Sequence, residues 1–309
     1  MKKNILILLI AITSVLFGGS YYMIDYALTP GEVIPHDSIL ISLKENSPQI
    51  APWLDSIQDN KALKDLYRTD SKGGKLHAFY IASSDTAAHT AVLVHGYKCE
   101  ALSMLKIAYI YSHELNYNVL LPDLHAHGQS DGKRIQMGWF DRIDVEDWIG
   151  VANEMAADST NIIVHGISMG AATTMMVSGD SLPENVRCFV EDCGYTSVYD
   201  EFKGELKNQF GLPAFPLMPC TSALNKLLNG WSFAEASALE QVKKCKRPML
   251  FIHGDSDTFV PTYMVKDVYE AKPEPKELWI TKGVEHDMSY ETYPEEYTAK
   301  IKAFCKKYM

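Results

Sequence analysis

The sequence lacks several features that mark specialised classes of protein. Six cysteines in 309 residues are too few for a disulfide framework, and no internal repeat or low-complexity tract is present. Positive charge is in deficit, because 29 Lys and Arg residues stand against 39 Asp and Glu residues and give a net charge of −10. Phosphate binding needs a cationic surface, so this balance excludes nucleic acid as the main partner.

Only one apolar run is long enough to cross a bilayer. Lys2 and Lys3 precede the run Ile5–Ile24, and about 20 apolar residues suffice for one membrane span. Small residues at Gly18-Gly19-Ser20 could serve a signal peptidase, although an Ala-x-Ala site is lacking. We therefore predict that residues 1–27 are a signal peptide or an N-terminal membrane anchor. Residues 28–309 are then an extracytoplasmic domain, membrane-anchored by this single segment or secreted after cleavage.

The remaining chain alternates short apolar runs with helix-length segments. Leu66–Thr69 and Leu76–Ala82 flank a glycine turn and predict a hairpin. Continuous apolar runs suit strands that are buried on both faces of a parallel sheet. These runs are Ala91–Val94, Val119–Leu121, Ile162–Val164, Val186–Val190, Met249–Ile252 and Glu277–Ile280. The helical segments between them are Ala101–Glu114, Phe140–Ala156, Ala171–Ser178, Thr262–Ala271 and Glu291–Lys306. This order predicts one α/β domain with a mostly parallel, doubly wound sheet.

A stretch without a strand pattern interrupts this alternation between Thr196 and Lys246. It includes Phe210–Pro219, in which three prolines lie among bulky apolar residues. Insertions of this length in compact domains are usually functional, so we predict a helical lid at approximately 198–234. A peripheral helical pair without a role is the alternative.

A nucleophile motif lies at Gly166-Ile167-Ser168-Met169-Gly170, which matches Gly-x-Ser-x-Gly. It follows the predicted strand Ile162–Val164, and a helix begins behind it. Such a turn exposes the serine, and the flanking glycines leave room for strained backbone and close helix packing. The helix N-terminus also directs free N–H groups towards an oxyanion. Ser168 is therefore the candidate nucleophile.

A serine hydroxyl needs a histidine base to become a good nucleophile at neutral pH. In the strand-turn-serine-helix arrangement the chain order is serine, acid and then histidine, and only His253 and His286 follow Ser168. His253 ends a buried strand, which favours a structural role. His286 lies in a loop between the strand ending at Thr281 and the last helix, from which its side chain could reach the serine. His286 is the candidate base.

Two carboxylates compete for the position of the acid that orients the histidine. Asp255 and Asp257 both lie in the loop after the strand that precedes the histidine's strand. We favour Asp257 and interpret Asp255 as a turn-capping residue, with the reverse assignment open.

Together these motifs resemble the serine α/β-hydrolase superfamily. The resemblance is closest to exported or membrane-anchored bacterial members of its esterase, lipase and prolyl-oligopeptidase-like branches, and it covers nearly all of the chain after the leader. The motifs that carry it, in the expected order, are His95-Gly96-Tyr97, Asp123-Leu124-His125-Ala126-His127-Gly128-Gln129-Ser130, Gly166-Ile167-Ser168-Met169-Gly170, the loop from His253 to Pro261, and Gly283-Val284-Glu285-His286.

The resemblance implies an α/β-hydrolase fold and assigns the acid to Asp257, three residues before Val260-Pro261. It also implies an oxyanion hole made by the backbone N–H groups of Tyr97 and Met169. His125-Ala126 departs from the family's Arg-Gly, which puts the role of that arginine in doubt here. An acyl-enzyme mechanism of this kind requires no cofactor. A metal site at Asp123, His125 and His127 is weakly indicated, and we predict none.

The predicted function is a serine hydrolase that cleaves carboxylic esters of modest apolar acyl or aryl groups. The apolar wall of its substrate pocket would come from the insertion. The pocket candidates are Phe210, Phe215, Met218 and Trp231. The expected partner is a small-molecule ester or short peptide substrate, with a membrane as a further partner if the leader is uncleaved.

Three other functions stay open at this stage. A serine peptidase of the same superfamily would use the same three residues and would need acidic side chains near the pocket for the substrate's amino terminus. A thioesterase is a further alternative. A non-catalytic anchored binding protein is the third, and the intact set Ser168, Asp257 and His286 argues against it.

Overall fold

The structure, a computed structural model, describes residues 2–70, 73–83, 88–156 and 159–309. Among these residues, eight strands join in one sheet. In chain order they are β1 (Leu63–Thr69), β2 (Lys75–Ile81), β3 (His89–Val94), β4 (Asn118–Asp123), β5 (Asn161–Ile167), β6 (Val186–Asp192), β7 (Met249–Gly254) and β8 (Lys276–Thr281).

Helices cover both faces of this sheet. Short 3-10 and π segments extend α4, so that helical structure runs continuously from Ala101–Met104 to Ile110–Glu114. The α-helices of the described residues are α1 (Lys2–Leu28), α2 (His36–Asn46), α3 (Ala51–Asp59), α4 (Leu105–Tyr109), α5 (Asp141–Met155), α6 (Met169–Ser178), α7 (Val198–Phe210), α8 (Leu217–Asn229), α9 (Ala238–Val242), α10 (Tyr263–Ala271), α11 (Ser289–Thr292) and α12 (Pro294–Tyr308).

The central strands are apolar throughout because both of their faces are buried. On β3, Val92 and Val94 face the core with α5, α6 and α10, whereas Ala91 and Leu93 face the core with α4 and α12. Successive side chains of a strand point to opposite faces, so such a strand needs apolar residues at every position. The sheet is thereby placed between two apolar layers, with the carboxyl ends of its parallel strands at one edge.

The sheet order is β1-β2-β4-β3-β5-β6-β7-β8. Strand β2 runs antiparallel to β1 and β4, and the other pairs, from β4 to β8, are parallel. This confirms the predicted mostly parallel α/β fold, and the hairpin β1-β2 forms where the glycine turn predicts it.

The predicted lid, at approximately 198–234, contains α7 and α8, and α9 follows it. None of its described residues belongs to a named strand. An isolated antiparallel bridge between Ser197 and Ser237 brings its two ends together. Helix α7 begins at Ser197, whose side chain accepts a hydrogen bond from the amide of Asp200, and it ends at Gly211 with a left-handed φ of 66°. The insertion is therefore a helical excursion from one point near the carboxyl edge of the sheet.

Helix α1 is long and apolar enough to cross a membrane, judged by its length and composition. Its side chains are exposed from Lys2 to Val15, whereas Ser20, Ile24 and Leu28 are buried against the domain. The four-residue spacing places these three on one face of the helix. One half of α1 is thus free of the domain, and the other half packs on it.

Candidate active site

Ser168 lies on a strained turn between β5 and α6. Its φ and ψ are 57° and −118°, in a region that non-glycine residues rarely adopt. A Cβ atom on Gly166 would lie 2.0 Å from the carbonyl oxygen of Gly170, and one on Gly170 would lie 2.0 Å from that of Val94. Both flanking positions therefore require glycine, which is the physical reason for the spacing of the motif.

The structure brings Ser168, His286 and Asp257 together across 118 and 29 residues of sequence. The Oγ atom of Ser168 lies 2.8 Å from Nε2 of His286, and Nδ1 of His286 lies 2.7 Å from Oδ2 of Asp257. The Asp257 side chain is fully buried and that of His286 is one-fifth exposed. The three groups form a continuous chain of hydrogen bonds from a buried carboxylate to the serine hydroxyl.

Several groups hold the carboxylate of Asp257 in place. Its Oδ1 atom accepts hydrogen bonds from the amides of Phe259 and Val260, at 3.0 and 2.9 Å. Its Oδ2 atom also lies 3.3 Å from Nε2 of His253. Burial opposes ionisation, but the hydrogen bonds with His253 and His286 outweigh it and lower the pKa of Asp257 to about 2. The carboxylate is therefore ionised at neutral pH.

His253 and Asp255 both support this arrangement. His253 is fully buried, and its Nε2 lies 2.8 Å from the carbonyl oxygen of Val260 as well as beside Asp257. Asp255 accepts a hydrogen bond of 2.6 Å from the amide of Gly283 in the loop that carries His286. The sequence indicated a structural role for His253, but its contact with the acid depends on a side-chain direction that sequence does not give.

The loop after β3 and the first turn of α6 lie close to Ser168. Met169 is the first residue of α6, so its amide has no acceptor within the helix. Gly96 precedes Tyr97, and a Cβ atom built on Gly96 would lie only 3.5 Å from Cβ of Ser168. The loop after β3 and the start of α6 therefore meet at the serine, and the oxyanion hole at Tyr97 and Met169 stays a prediction.

The loop after β4 uses its polar side chains to hold backbone groups. Asp123 accepts hydrogen bonds from the amides of Ala101 and Gln129, and Nε2 of His127 accepts one from the amide of Lys98. Burial lowers the pKa of His127 to about 3, so its ring is neutral. His125, in the same loop, contributes its carbonyl oxygen to Nδ1 of His127. These partners explain Asp123 and His127 as loop-bracing groups.

A buried lysine fixes the loop that carries His286. Nζ of Lys106 lies 3.1 Å from Oδ1 of Asp287 and 2.6 Å from Oε1 of Glu291. Burial opposes protonation of Lys106, but the two carboxylates outweigh it and raise the pKa of its ammonium group. Because Asp287 directly follows His286, this ion-pair network sets the position of the candidate base.

Cys193 lies behind the histidine and the acid. Its Sγ, a carboxylate oxygen of Asp257 and a ring nitrogen of His286 lie within 4.8 Å of one another. Burial raises the pKa of the Cys193 thiol well above its ordinary value, so the sulfur is a neutral packing group rather than a thiolate ligand. All six cysteines are described, and none forms a disulfide.

A cleft opens from Ser168 towards the helical insertion, and we call it the serine cleft. It contains about 810 Å³ of empty space, counting the part open to solvent. Its walls include the serine turn, the loop after β3, the insertion and helix α1, together with residues from the loops after β4, β6 and β7. Representative wall residues are Met23, Tyr97, Ser168, Phe202, Phe210 and Met218.

The four predicted pocket residues divide into two pairs. Phe210 and Met218 line the serine cleft. Phe215 does not line it and is 78% exposed, because it precedes α8 on the outside of the insertion. Trp231 is only 1% exposed and packs against Phe233 in the core instead. The sequence identified the apolar segment but could not say which side of each helix faces the serine.

Two acidic residues also line the serine cleft, Glu201 and Glu205. The Glu201 side chain is buried, and neither of its carboxyl oxygens has a hydrogen-bond partner among the described residues. Burial raises the pKa of Glu201 well above its ordinary value. Burial therefore favours the protonated, neutral form of this carboxyl group in the unliganded cleft.

Comparisons with known proteins agree with this fold. The protein YqkD of Bacillus subtilis is 29% identical over 232 residues, which are 75% of each chain. The human α/β hydrolase domain-containing protein 17B is 21% identical over 258 residues, covering 83% of this chain and 80% of its own. The esterase Pf2001 of Pyrococcus furiosus superposes with a TM-score of 0.65 and 25% identity, covering 82% of this chain and 96% of its own.

A family-level match extends the agreement. The sequence profile of the prolyl oligopeptidase family matches residues 127–309, which is more than half of the chain and includes Ser168, Asp257 and His286. Together with the sheet order and the hydrolase neighbours, this match shows that the chain belongs to the prolyl oligopeptidase family of α/β-hydrolases.

Proposed function

We propose that this hydrolase is a serine esterase that cleaves carboxylic esters of apolar acyl or aryl groups through an acyl-enzyme. The observation that carries the proposal is the hydrogen-bonded chain from Ser168 through His286 to Asp257, with separations of 2.8 and 2.7 Å. A serine so placed can transfer its proton to the imidazole as it attacks a carbonyl carbon.

In the first half of the reaction, Oγ of Ser168 attacks the ester carbonyl and its proton passes to Nε2 of His286. The ionised Asp257 stabilises the resulting imidazolium, since its pKa is held at about 2. The amides of Tyr97 and Met169 donate hydrogen bonds to the tetrahedral oxyanion, and each such donor typically contributes ~10²–10³ in rate. His286 then returns the proton to the leaving alkoxide, and the alcohol departs.

In the second half, water replaces the alcohol. His286 removes a proton from the water as its oxygen attacks the acyl carbon, and it returns that proton to Oγ of Ser168 as the carboxylic acid leaves. A second groove, lined by Tyr97, Phe259 and His286, meets Ser168 from the side of the imidazole. This groove provides a path for the alcohol and for water that avoids the serine cleft.

The chemistry of the serine cleft supports an apolar acyl group. Phe202, Phe210, Leu217 and Met218 contribute apolar surface, and burial favours the neutral form of Glu201. Burial of apolar surface stabilises binding by about 25 cal/mol per Å², so an acyl chain gains affinity with each buried methylene. An anionic acyl group would lose its hydration without gaining a cationic partner among the residues that line the cleft.

The proposal is tested by fluorophosphonate labelling and an ester panel. We expect the folded protein to be labelled at Ser168, and Ser168→Ala to lose labelling and at least ~10³-fold of its ester hydrolysis. p-Nitrophenyl esters with apolar acyl groups should be cleaved faster than p-nitrophenyl hydrogen succinate. Folded protein that is neither labelled nor active would contradict the proposal and favour a binding role.

An aminopeptidase is the second candidate, and Glu201 and Glu205 in the serine cleft favour it. An entering ammonium group would offer Glu201 a cationic partner and would favour its ionised form. In that case aminoacyl p-nitroanilides would be cleaved faster than p-nitrophenyl esters, and Glu201→Gln would raise KM for the anilides at least ~10-fold. The esterase proposal predicts the reverse order of substrates.

A further inference from the structure

The packed half of helix α1 is part of the serine cleft. Met23, Tyr26 and Ala27 line the same cleft as Ser168. The hydroxyl of Tyr97, whose amide is a proposed oxyanion donor, donates a hydrogen bond of 2.6 Å to the carbonyl oxygen of Ala27. The hydroxyl of Tyr26 donates one of 2.7 Å to Gln209 of α7. The helix that resembles a leader is therefore a wall of the candidate active site.

The depth of this wall in a bilayer follows from helix geometry. The freely exposed part of α1, Lys2 to Val15, is fourteen residues long, or about 21 Å at ~1.5 Å per residue. A hydrocarbon core is ~30 Å thick and needs about 20 apolar residues, which extends the span from Ile5 to about Ile24. The last turns of a membrane-spanning α1 thus lie at the membrane surface while they pack on the insertion.

Helix α8 is the part of the insertion that lies against these turns. A Cβ atom built on Gly19 would lie 3.4 Å from Cδ1 of Leu217, and Ile24 shares an apolar core with Met218. The helix contains no acidic residue and one basic residue, Lys226. It thus carries no negative charge that would oppose contact with a lipid surface.

The insertion and the end of the span both expose apolar or aromatic side chains. Large apolar residues of the insertion that face solvent are Leu212, Phe215, Leu227 and Leu228. Tyr21, Tyr22 and Tyr26 are each about half exposed near the end of the span, where aromatic residues concentrate in membrane proteins. Apolar surface of this kind beside a spanning helix fits a lipid surface better than water.

We propose that the substrate is a long-acyl ester resident in the bilayer, and that its chain enters the serine cleft between α1 and the insertion. This inference rests on the proposed esterase function and deepens it. The anchor's own residues Met23 and Ala27 contact the chain, with Phe210 and Met218 on the opposite wall. The acyl chain moves from one apolar environment to another, so it need not cross water to reach Ser168.

The test uses the full chain in phosphatidylcholine vesicles, with p-nitrophenyl acetate as the short ester and p-nitrophenyl palmitate in the bilayer as the long one. Met23→Trp narrows the cleft at α1. It should lower the ratio of kcat/KM for the palmitate ester to kcat/KM for the acetate ester at least ~10-fold. Met23→Ala widens the cleft and should shift the preferred acyl length upwards. Val15→Trp is the matched control on the exposed half of α1 and should change neither rate.

The outcomes separate this inference from the esterase proposal. If the wild type cleaves the short ester but neither Met23 variant shifts chain-length preference, the bilayer inference is wrong and the esterase stands. If no ester is cleaved and Ser168 is not labelled, the esterase proposal itself fails. Retained fluorophosphonate labelling of each variant shows that it is folded. The acyl chain could come from a membrane lipid or from an acylated peptide. Vesicles that contain either a fluorescent diacylglycerolipid or an O-acylated peptide distinguish these two sources.

Discussion

At the scale of single residues, Asp257 connects the largest number of polar groups at the site. It accepts hydrogen bonds from the amides of Phe259 and Val260, and it lies beside His253 and His286. A buried carboxylate without partners would be protonated, so these contacts determine its charge. The acid therefore depends on His253, a residue that takes no direct part in the proposed reaction.

The lowered pKa of Asp257 predicts how stability depends on pH. Its ordinary pKa is 3.8 and its folded value is about 2, which corresponds to about 2 kcal/mol of stabilisation at neutral pH. Because the folded pKa is depressed, this contribution is present above about pH 4 and is lost as the pH falls through about 2. As the pH falls from 7 to 2, we expect the difference in unfolding free energy between wild type and Asp257→Asn to shrink by about 2 kcal/mol.

Urea unfolding at pH 7, 4, 3 and 2 measures this difference. Asp255→Asn is the matched control, since Asp255 lies on the exposed side of the same loop and makes no contact of this kind with His286. A difference between wild type and Asp257→Asn that stays constant over this pH range would contradict the assignment.

At the scale of elements, the loop after β8 is fixed by a distant helix. Lys106 of α4 reaches Asp287 and Glu291, and its side chain is only 10% exposed. Most of the loop is exposed or half-buried, so this ion pair helps to hold the imidazole near Ser168. Positioning of the candidate base thus depends on a helix on the opposite side of the sheet from the insertion.

Removal of this lysine tests that dependence. Lys106→Met leaves Glu291 largely buried without its partner, so we expect a loss of about 2 kcal/mol in stability and a fall in kcat of ~10-fold. Lys302→Met is the control, because the exposed pair of Lys302 and Glu114 should contribute less than ~1 kcal/mol. Thermal unfolding and ester kinetics measure both effects. Equal results for the two variants would argue against a positioning role.

The sequence predicts the strands of the sheet but misses two helices that precede it. Each continuous apolar run became a strand, and in the central strands apolar residues fit between the two layers of helices. Helices α2 and α3 were not predicted, since α2 buries only Leu40 and has little apolar periodicity. The last helix begins later than expected, at Pro294, because proline favours the first turn of a helix.

The residues of the candidate site also differ in whether the sequence predicts their positions. Ser168 and His286 were identifiable because each follows a strand at the carboxyl edge of the sheet, where backbone topology alone brings residues together. The positions of Trp231 and Phe215 could not be predicted, because the directions of their side chains depend on how α8 packs against the domain. Nothing in the local pattern of Met23 or Ala27 indicated a place in the serine cleft, since a leader is expected to leave the folded domain.

At the scale of the whole molecule, helix α1 and the domain share one apolar core. Ile24 and Leu28 are buried in the same cluster as Val92, Val164 and Met175 beneath the serine turn. Loss of a large buried side chain typically costs 2–5 kcal/mol, so removal of α1 would cost at least that much. The helix behaves as a structural element of the domain.

We therefore predict that the mature protein retains its leader. Peptide mapping of the protein from a native membrane preparation should recover the residues of α1, and the protein should stay with the membrane after a carbonate wash. A mature amino terminus between residues 18 and 30, with the activity in the soluble fraction, would contradict this. Ile24→Ala should lower the unfolding temperature in detergent, whereas the exposed Ile10→Ala should not.

The continuity of α1 has a consequence for the reach of the enzyme. A helix of 27 residues is about 40 Å long and enters the side of the domain without a flexible linker. An anchored enzyme of this build cannot swing away from its membrane as a tethered one would, so the height of Ser168 above the lipid is constant. Its search for substrate is then two-dimensional. The turnover rate should follow the mole fraction of ester in the bilayer rather than its concentration in the surrounding volume.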